Sequence, residues 1–230
     1  MSRNIVIAFS GFKQSGKTTV TGMVENILAE DFKYGSQIGS ITTESFADPM
    51  KRIIEDVFGV KEGDVSDKEA PIQSTKKFFK NKPKSYRELC IAIGDGMKDS
   101  LKCPNLWCNT IERHVTEKFK ETNPLDKVFI IPDVRYASEL KMLERLRKKG
   151  FEVYHFCVFR KEMMPEWIFS GLNICNPEEK QIILDSFEPT RSEYEWCAYN
   201  PKFSALLTND GTKKELEEQV RSMVIERIWK

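Results

Sequence analysis

A glycine-rich turn near the amino terminus carries the clearest chemistry in this sequence. Residues 11–18 read GFKQSGKT and match G-x-x-x-x-G-K-[ST] at every fixed position. Glycines in such a turn let successive backbone N–H groups face phosphate oxygens at the start of a helix. Lys17 would reach the β- and γ-phosphates, and the Thr18 hydroxyl is suited to bind magnesium. This turn, the phosphate loop, therefore predicts binding of a nucleoside triphosphate with Mg2+.

The elements that must position the phosphate loop are present on both sides of it. The apolar run at 4–9 predicts a buried strand, and an amphipathic helical pattern starts at Thr18. The alternative, a fortuitous loop rich in glycine and lysine, would rarely lie between a strand and a helix. The predicted nucleotide contacts are Gly11, Lys13, Gln14, Ser15, Gly16, Lys17, Thr18 and Thr19, with Arg160 at the end of a later strand.

Four charged residues elsewhere could serve transfer of a phosphoryl group. Asp133 follows the apolar run 128–131, where a carboxylate can hold or orient magnesium. Arg135 lies two residues on, at the strand end where open α/β folds bind ligands. Lys51 and Arg87 each fall in the first turn of a predicted helix, which disfavours cations, so a bound anion would explain them. For each residue the alternative is a solvated surface charge.

Strand and helix patterns alternate along the chain. Strands are predicted at 4–9, 41–46, 128–131, 153–159 and 205–207. Helices are predicted after Thr18, from Asp48–Pro49 to Gly59, after Ser85, after Pro104, from Asp133 to Gly150, and from Thr212 to about Trp229. Because no hairpin turn signal separates the strands, the pattern favours a five-stranded parallel sheet flanked by helices, an α/β fold of the P-loop NTPase type.

Two stretches interrupt this alternation within a single predicted domain, 1–230. The lysine-rich stretch 60–84 predicts a mobile excursion on the acceptor side, with at most one short helix. The stretch 161–203 predicts an inserted lid that excludes water, with Trp167 and Trp196 as docking anchors and Arg160 or Arg191 as added cations. The alternative is an insertion without function.

Composition excludes several classes of protein. The chain has 36 Lys and Arg against 35 Asp and Glu, so no long-range field attracts nucleic acid or a membrane surface. With 40% hydrophobic residues it is not a disordered chain, and it carries no signal peptide or membrane-span pattern, which predicts a cytoplasmic protein. The six cysteines lack zinc-ligand spacing and predict free thiols.

Short blocks through most of the chain resemble the deoxynucleoside monophosphate kinases of tailed bacteriophages and some large DNA viruses. The blocks are the phosphate loop with its extra Lys13, FADPMK at 46–51, REL at 87–89 with IGD at 93–95 and Trp107 downstream, IPDVR at 131–135 with Glu139, and LTNDG at 207–211. The Pro-Asp-x-Arg and Phe-Ala-Asp-Pro-Met-Lys blocks are more diagnostic than the loop, which a whole superfamily shares.

The resemblance implies transfer of a phosphoryl group from ATP or dATP to a deoxynucleoside 5′-monophosphate, with Mg2+, for DNA precursor synthesis. The catalytic residues it implies are Lys17, Lys13, Arg87, Arg135 and Asp133, with Thr18 and Asp133 at the metal. The implied acceptor contacts are Lys51, Arg87, Gly94, Asp95, Trp107, Asp133, Arg135 and Glu139. A viral member would work in the host cytoplasm, without stable nucleic-acid or membrane binding; a homodimer is left open.

The chain departs from the family pattern at the acceptor helix and in the lid. Asp95 and Gly96 replace the family's threonine and acidic residue, and Arg191 stands where the family often has histidine. Trp107 could stack on a base or be an ordinary interior tryptophan. Two other functions stay open: a P-loop kinase of another metabolite, such as dephospho-coenzyme A, and a nucleotide-binding switch with slow hydrolysis.

Overall fold

Five parallel strands form the central sheet in the computed structural model, which describes residues 2–33, 38–120, 125–162, 195–197, 199 and 201–229. The strands among the described residues are β1 (Asn4–Ser10), β2 (Ile38–Thr43), β3 (Pro71–Ile72), β4 (Lys84–Ser85), β5 (Asp126–Ile131), β6 (Glu152–Phe159) and β7 (Ala205–Thr208). The spatial order of the sheet is β2-β5-β1-β6-β7, with all four neighbouring pairs parallel. The strand that leads into the phosphate loop is therefore the central one.

Helices connect the strands. In the part of the chain that the structure describes they are α1 (Lys17–Lys33), α2 (Asp48–Phe58), α3 (Tyr86–Ser100), α4 (Leu106–Lys120), α5 (Ala137–Lys148), α6 (Lys213–Gln219) and α7 (Glu226–Ile228). Two 3₁₀ turns lie at Glu62–Asp64 and Gln73–Phe78, and a π-helical stretch, Val220–Ile225, joins α6 to α7. The parallel sheet with its helices confirms the predicted α/β fold. No helix in the described ranges is long and apolar enough to cross a membrane.

The chain divides into two compact units, where the sequence predicted one domain. The first consists of Met1–Glu44 and Val115–Lys230 and contains the central sheet. The second, Ser45–His114, contains α2, α3, both 3₁₀ turns and the antiparallel pair β3–β4. Residues 60–84 thus carry more local structure than the single short helix expected.

The core of the first unit explains why its strands read as unbroken apolar runs. Ile5, Ile7 and Phe9 of β1 are fully buried in one cluster with the inward face of α1 and with the helices that end the chain. Strands covered on both faces need apolar residues at every position rather than at alternate ones. The apolar face of α1 is buried at Val20, Met23, Val24, Ile27 and Leu28.

The end of β2 differs from the prediction of 41–46. β2 ends at Thr43, and a turn follows in which the Ser45 N–H donates to Asp48 Oδ2 at 2.6 Å. The Asp48 carboxylate thus binds a backbone amide that precedes α2. The N-cap of α2 is Ala47 rather than Asp48. Val57 of α2 is an apolar residue that is 52% exposed.

Candidate active site

Two glycines allow the phosphate loop to turn sharply between β1 and α1. Gly11 has φ +153° and Gly16 has φ +104°, and a Cβ on Gly11 would lie only 2.3 Å from the Val158 carbonyl oxygen. Gln14 also has a positive φ, +64°. Side-chain bulk at Gly11 would therefore push the loop away from β6, so the first fixed glycine of the motif has a steric cause.

Lys17 lies folded back along the loop. Its side chain is 8% exposed, and Nζ donates to the carbonyl oxygens of Gly11 at 2.7 Å and Phe12 at 2.8 Å. The same nitrogen lies 3.6 Å from Asp133 Oδ1. The structure therefore joins two predicted residues that are 116 positions apart (133 − 17) in the sequence.

Asp133 and Arg135 form an ion pair at the carboxyl end of β5. Arg135 Nε donates to Asp133 Oδ2, while Asp133 Oδ1 is buried and accepts no hydrogen bond from the described residues. The segment after β5 is held to the central strand, β1, because the Val134 N–H donates to the Phe9 carbonyl oxygen at 2.7 Å. A buried carboxylate oxygen without a donor, beside a lysine, is suited to a cation or to a group that brings one.

Magnesium fits this donor set. Thr18, exposed at the start of α1, and Asp133 offer the hard oxygen ligands that Mg2+ prefers. The described residues contain no group of three or more His, Cys, Asp or Glu side chains that could hold a metal. A magnesium ion here would consequently take its other ligands from phosphate and water.

The remaining predicted loop residues separate into buried and exposed positions. Lys13, Gln14 and Thr19 are exposed, and Lys13 forms no ion pair with any described residue. Ser15 is 1% exposed, and its Oγ has no hydrogen-bond partner. The exposed Lys13 ammonium is therefore free to meet a ligand from solvent.

Glu139, one of the predicted acceptor contacts, is buried at the start of α5. It is 5% exposed, and its Oε2 accepts the N–H groups of Arg135 at 2.6 Å and Tyr136 at 3.0 Å. Burial raises the pKa of Glu139 to about 8, with Asp133 raising it further and the two amides and Arg135 opposing. The Glu139 carboxyl group lies in the first turn of α5 and binds the Arg135 backbone amide. Its contacts are therefore with the backbone of the protein itself.

A buried pair that the sequence did not reveal, Ser10 and His155, is bonded to the segment that follows β5. Ser10 Oγ donates to the Val134 carbonyl at 2.8 Å, so it accepts from His155 Nε2, also at 2.8 Å. Burial lowers the pKa of His155 to about 3, which keeps the ring neutral. In the β1–β6 register Ser10 lies opposite Cys157, and His155 lies two residues earlier on β6, opposite Ala8. An apolar strand pattern gives no signal for such a pair.

Lys51 and Arg87 lie in the second unit and are paired with carboxylates of that unit. Lys51 Nζ is 2.9 Å from Glu62 and 3.3 Å from Asp48, and Arg87 Nε is 3.4 Å from Glu69. Burial opposes the charge on Lys51, but its bonds to the two carboxylates outweigh burial and raise its pKa. The sequence predicted a bound anion beside each of these cations. In the structure the neighbouring anions are carboxylates of the protein itself.

The other predicted acceptor residues of the second unit have structural partners. Trp107 is 9% exposed, and its indole N–H donates to the Gly94 carbonyl at 2.9 Å. A Cβ on Gly94 would lie 3.1 Å from Met50 Sδ, so glycine permits close approach of α2 and α3. Asp95 is exposed and pairs with Lys98 at 3.3 Å. These contacts favour the interior role that was the alternative for Trp107.

Most of the predicted lid, with Trp167 and Arg191, lies outside the described residues. Arg160, at its start, pairs with Glu162 at 2.9 Å. Near its end, Trp196 is 1% exposed and packs edge-on against Phe12 of the phosphate loop, with ring centroids 5.5 Å apart. Residues 195–197 are therefore packed against the phosphate loop in the first unit.

The segment 195–197 also contacts α5. Glu195 is 9% exposed, and its Oε1 accepts the Ala137 N–H at 3.1 Å. An acidic side chain at a helix amino terminus is favoured by the helix dipole. Sequence analysis missed this contact because the partners are 58 residues apart.

Comparison with known proteins gives only distant structural similarity. No protein-family model matches the chain, and no curated protein sequence matches it significantly. Three solved structures are similar: TT1252 of Thermus thermophilus (15% identity, 98% of both chains covered, TM-score 0.40); the APS kinase of Mycobacterium tuberculosis in complex with AMPPNP and APS (12%, 98% and 99% covered, 0.46); and the shikimate kinase of Acinetobacter baumannii in complex with shikimate (12%, 98% and 95% covered, 0.37). Similarity at this level does not bear on the activity of this chain.

Proposed function

We propose that the protein transfers the γ-phosphoryl group of ATP or dATP to a deoxynucleoside 5′-monophosphate, giving ADP and the diphosphate. The observation that carries the proposal is the connected set of Lys17, Asp133 and Arg135 at the phosphate loop. Phosphoryl transfer needs little from a protein beyond positioning and charge stabilisation. This set supplies both signs of charge where β1 and β5 end.

The donor phosphates would replace the present partners of Lys17. Phosphate oxygens carry full charge and accept stronger hydrogen bonds than the Gly11 and Phe12 carbonyls that now hold Nζ. The ammonium group would turn towards the β- and γ-phosphates, with Lys13 as a second cation from the exposed side of the loop. Bound Mg2+, held by Thr18 and Asp133, would neutralise charge on the phosphates.

The acceptor phosphate is assigned to Arg135, and Lys51 and Arg87 stay acceptor contacts predicted from the sequence alone. Each of these cations is now paired with a carboxylate, which keeps it charged and oriented. An arginine fork matches two phosphate oxygens at once, so a monophosphate can compete with a single carboxylate. Deoxyribose and base contacts through Gly94, Asp95 or Trp107 belong to the proposal only through the family resemblance.

ADP release measured against a panel of acceptors tests the proposal. The panel contains the deoxynucleoside monophosphates, the matching ribonucleotides, dephospho-coenzyme A, and a reaction without acceptor. We expect ADP release to depend on a deoxynucleoside monophosphate. ADP release that depends on another metabolite would show that the acceptor belongs to a different class. Slow ADP release that no acceptor stimulates would favour a nucleotide-binding switch.

A further inference from the structure

The turn after β7 contacts the phosphate loop across the sheet. Asn209 is placed by its backbone, whose N–H donates to the Phe159 carbonyl at the end of β6 at 2.8 Å. Its side-chain Nδ2 then donates to the Ser15 carbonyl oxygen at 2.9 Å. A carbonyl oxygen can only accept, so the nitrogen end of the carboxamide must face the loop.

Gly16 makes this contact possible. A Cβ at position 16 would lie 2.3 Å from Asn209 Nδ2 and 3.3 Å from its Cγ. The carboxamide therefore lies directly against the loop at Gly16, whose φ of +104° is also unsuited to other residues. The second glycine of the motif thus serves the contact with Asn209 as well as the turn.

The contact fixes the direction of one peptide group. The Ser15 carbonyl and the Gly16 N–H belong to the same trans peptide, in which the two bonds point in opposite directions. Because the carbonyl points to Asn209, the Gly16 N–H points away from it, to the side of the loop where amides collect around an anion. A flipped peptide would instead turn the Ser15 oxygen to the phosphate side, against phosphate oxygens.

We infer that Asn209 is a positioning residue for phosphate binding: its carboxamide holds the Ser15–Gly16 peptide so that the Gly16 N–H faces the triphosphate. The inference rests on the proposed function, since it assumes that the loop binds ATP. It gives Asn209 a role in binding the phosphates that requires no contact between Asn209 and nucleotide.

Binding of two ligands to Asn209→Leu and Asn209→Ala tests the inference. Leucine keeps much of the side-chain volume without a donor, and alanine removes both. Dissociation constants are measured by titration calorimetry for ATP and for inorganic tripolyphosphate, which lacks a nucleoside. Loss of one hydrogen bond predicts roughly three- to tenfold weaker binding, by the same factor for both ligands. Weakening of ATP alone would show a nucleoside contact and overturn the inference, as would unchanged binding of both.

Gln219→Ala is the matched control. Gln219 Oε1 accepts the Thr208 N–H at 3.0 Å and Nε2 donates to the Thr208 carbonyl at 2.9 Å, one residue before Asn209. The substitution loosens the end of β7 without touching the phosphate loop. We expect a lower melting temperature with unchanged binding of both ligands. Equal weakening in the control would mean that Asn209 acts only through the stability of the strand.

A measurement without nucleotide separates this inference from the proposed function. Failure of the wild-type protein to bind ATP would overturn the proposed function. The Ser15 carbonyl carbon resonance reports its hydrogen bond in the nucleotide-free protein. We expect the chemical shift of this resonance to change in both Asn209 variants and to stay unchanged in Gln219→Ala. A resonance that does not respond to Asn209 would overturn the inference, whether or not nucleotide binds.

Discussion

At the scale of single residues, Lys17 has two sets of partners, one present now and one expected with ATP. Without nucleotide its ammonium group is held by two loop carbonyls and Asp133. Because these partners are polar groups at the loop rather than core side chains, Lys17→Ala should leave the fold intact. We expect turnover to fall by ~10³-fold or more, measured as ADP release.

An exposed lysine provides the control for that substitution. Lys214 is 86% exposed on α6, and Lys214→Ala should retain wild-type turnover. Circular dichroism and a melting curve check that Lys17→Ala is folded. A folded Lys17→Ala protein that retains more than about a tenth of the turnover would contradict charge stabilisation by this lysine.

Arg135 and Arg87 are expected to act on the acceptor rather than on ATP. Arg135→Ala and Arg87→Ala should each raise the KM for the monophosphate, by about tenfold or more, and leave the KM for ATP nearly unchanged. Lysine should rescue poorly at both positions because it lacks the planar fork. Initial rates at varied concentrations of each substrate measure the two constants.

Arg221 is the matched control for the two arginines. It is half exposed and pairs with Glu30 at 3.5 Å, so Arg221→Ala should leave both constants near wild type. Equal loss of ATP and monophosphate use in Arg135→Ala would indicate that this arginine acts through its ion pair with Asp133, as a structural contact.

At the scale of elements, the start of α5 depends on a buried carboxyl group. The pKa of Glu139 is raised from 4.5 to about 8, so the folded protein binds more protons than the unfolded chain between these values. The free energy of unfolding should therefore fall as pH rises through this range and level off above about 8. Glu139→Gln keeps an oxygen for the Arg135 and Tyr136 amides and removes the titration.

Denaturant unfolding at several pH values tests this expectation. The stability of Glu139→Gln minus that of wild type should increase steadily from about pH 4.5 to about pH 8, since all other titrations cancel in the difference. Glu218→Gln, an exposed change on α6, is the control for replacing a glutamate by glutamine. A difference for Glu139→Gln that does not vary with pH would mean that the Glu139 carboxylate is ionised throughout.

At the scale of the whole molecule, ATP binding should stabilise the folded protein. A ligand that binds only the folded state adds about 2.7 kcal/mol at a hundred times its dissociation constant. For a chain of 230 residues this corresponds to a rise in melting temperature of roughly 5–10 °C. Scanning calorimetry with ATP and Mg2+ measures it, and Lys17→Ala should lose most of the rise. The same rise in wild type and variant would place ATP elsewhere.

The sequence alone determined the features that depend on neighbouring residues. The phosphate loop, the parallel alternation of strands and helices, and the starts of α3 after Ser85 and of α6 at Thr212 were all predicted. In both caps a hydroxyl and a glutamate three residues later exchange hydrogen bonds with the backbone. The glycine after α2 also ends that helix as expected, with φ +66°. Such signals are local, because caps, turns and hydrophobic periods involve residues a few positions apart.

Only the tertiary structure decided which partners the charged and polar side chains have. It placed Lys17 beside Asp133, gave Lys51 two carboxylates, buried Glu139 under the Arg135 backbone, and brought Asn209 to the phosphate loop. The Asn209–Ser15 bond joins residues 194 positions apart. A residue's type and spacing state what it can bind, but the order of parallel strands decides which loops meet at one edge of the sheet. That order follows from the packing of the whole core, which no local pattern in the chain encodes.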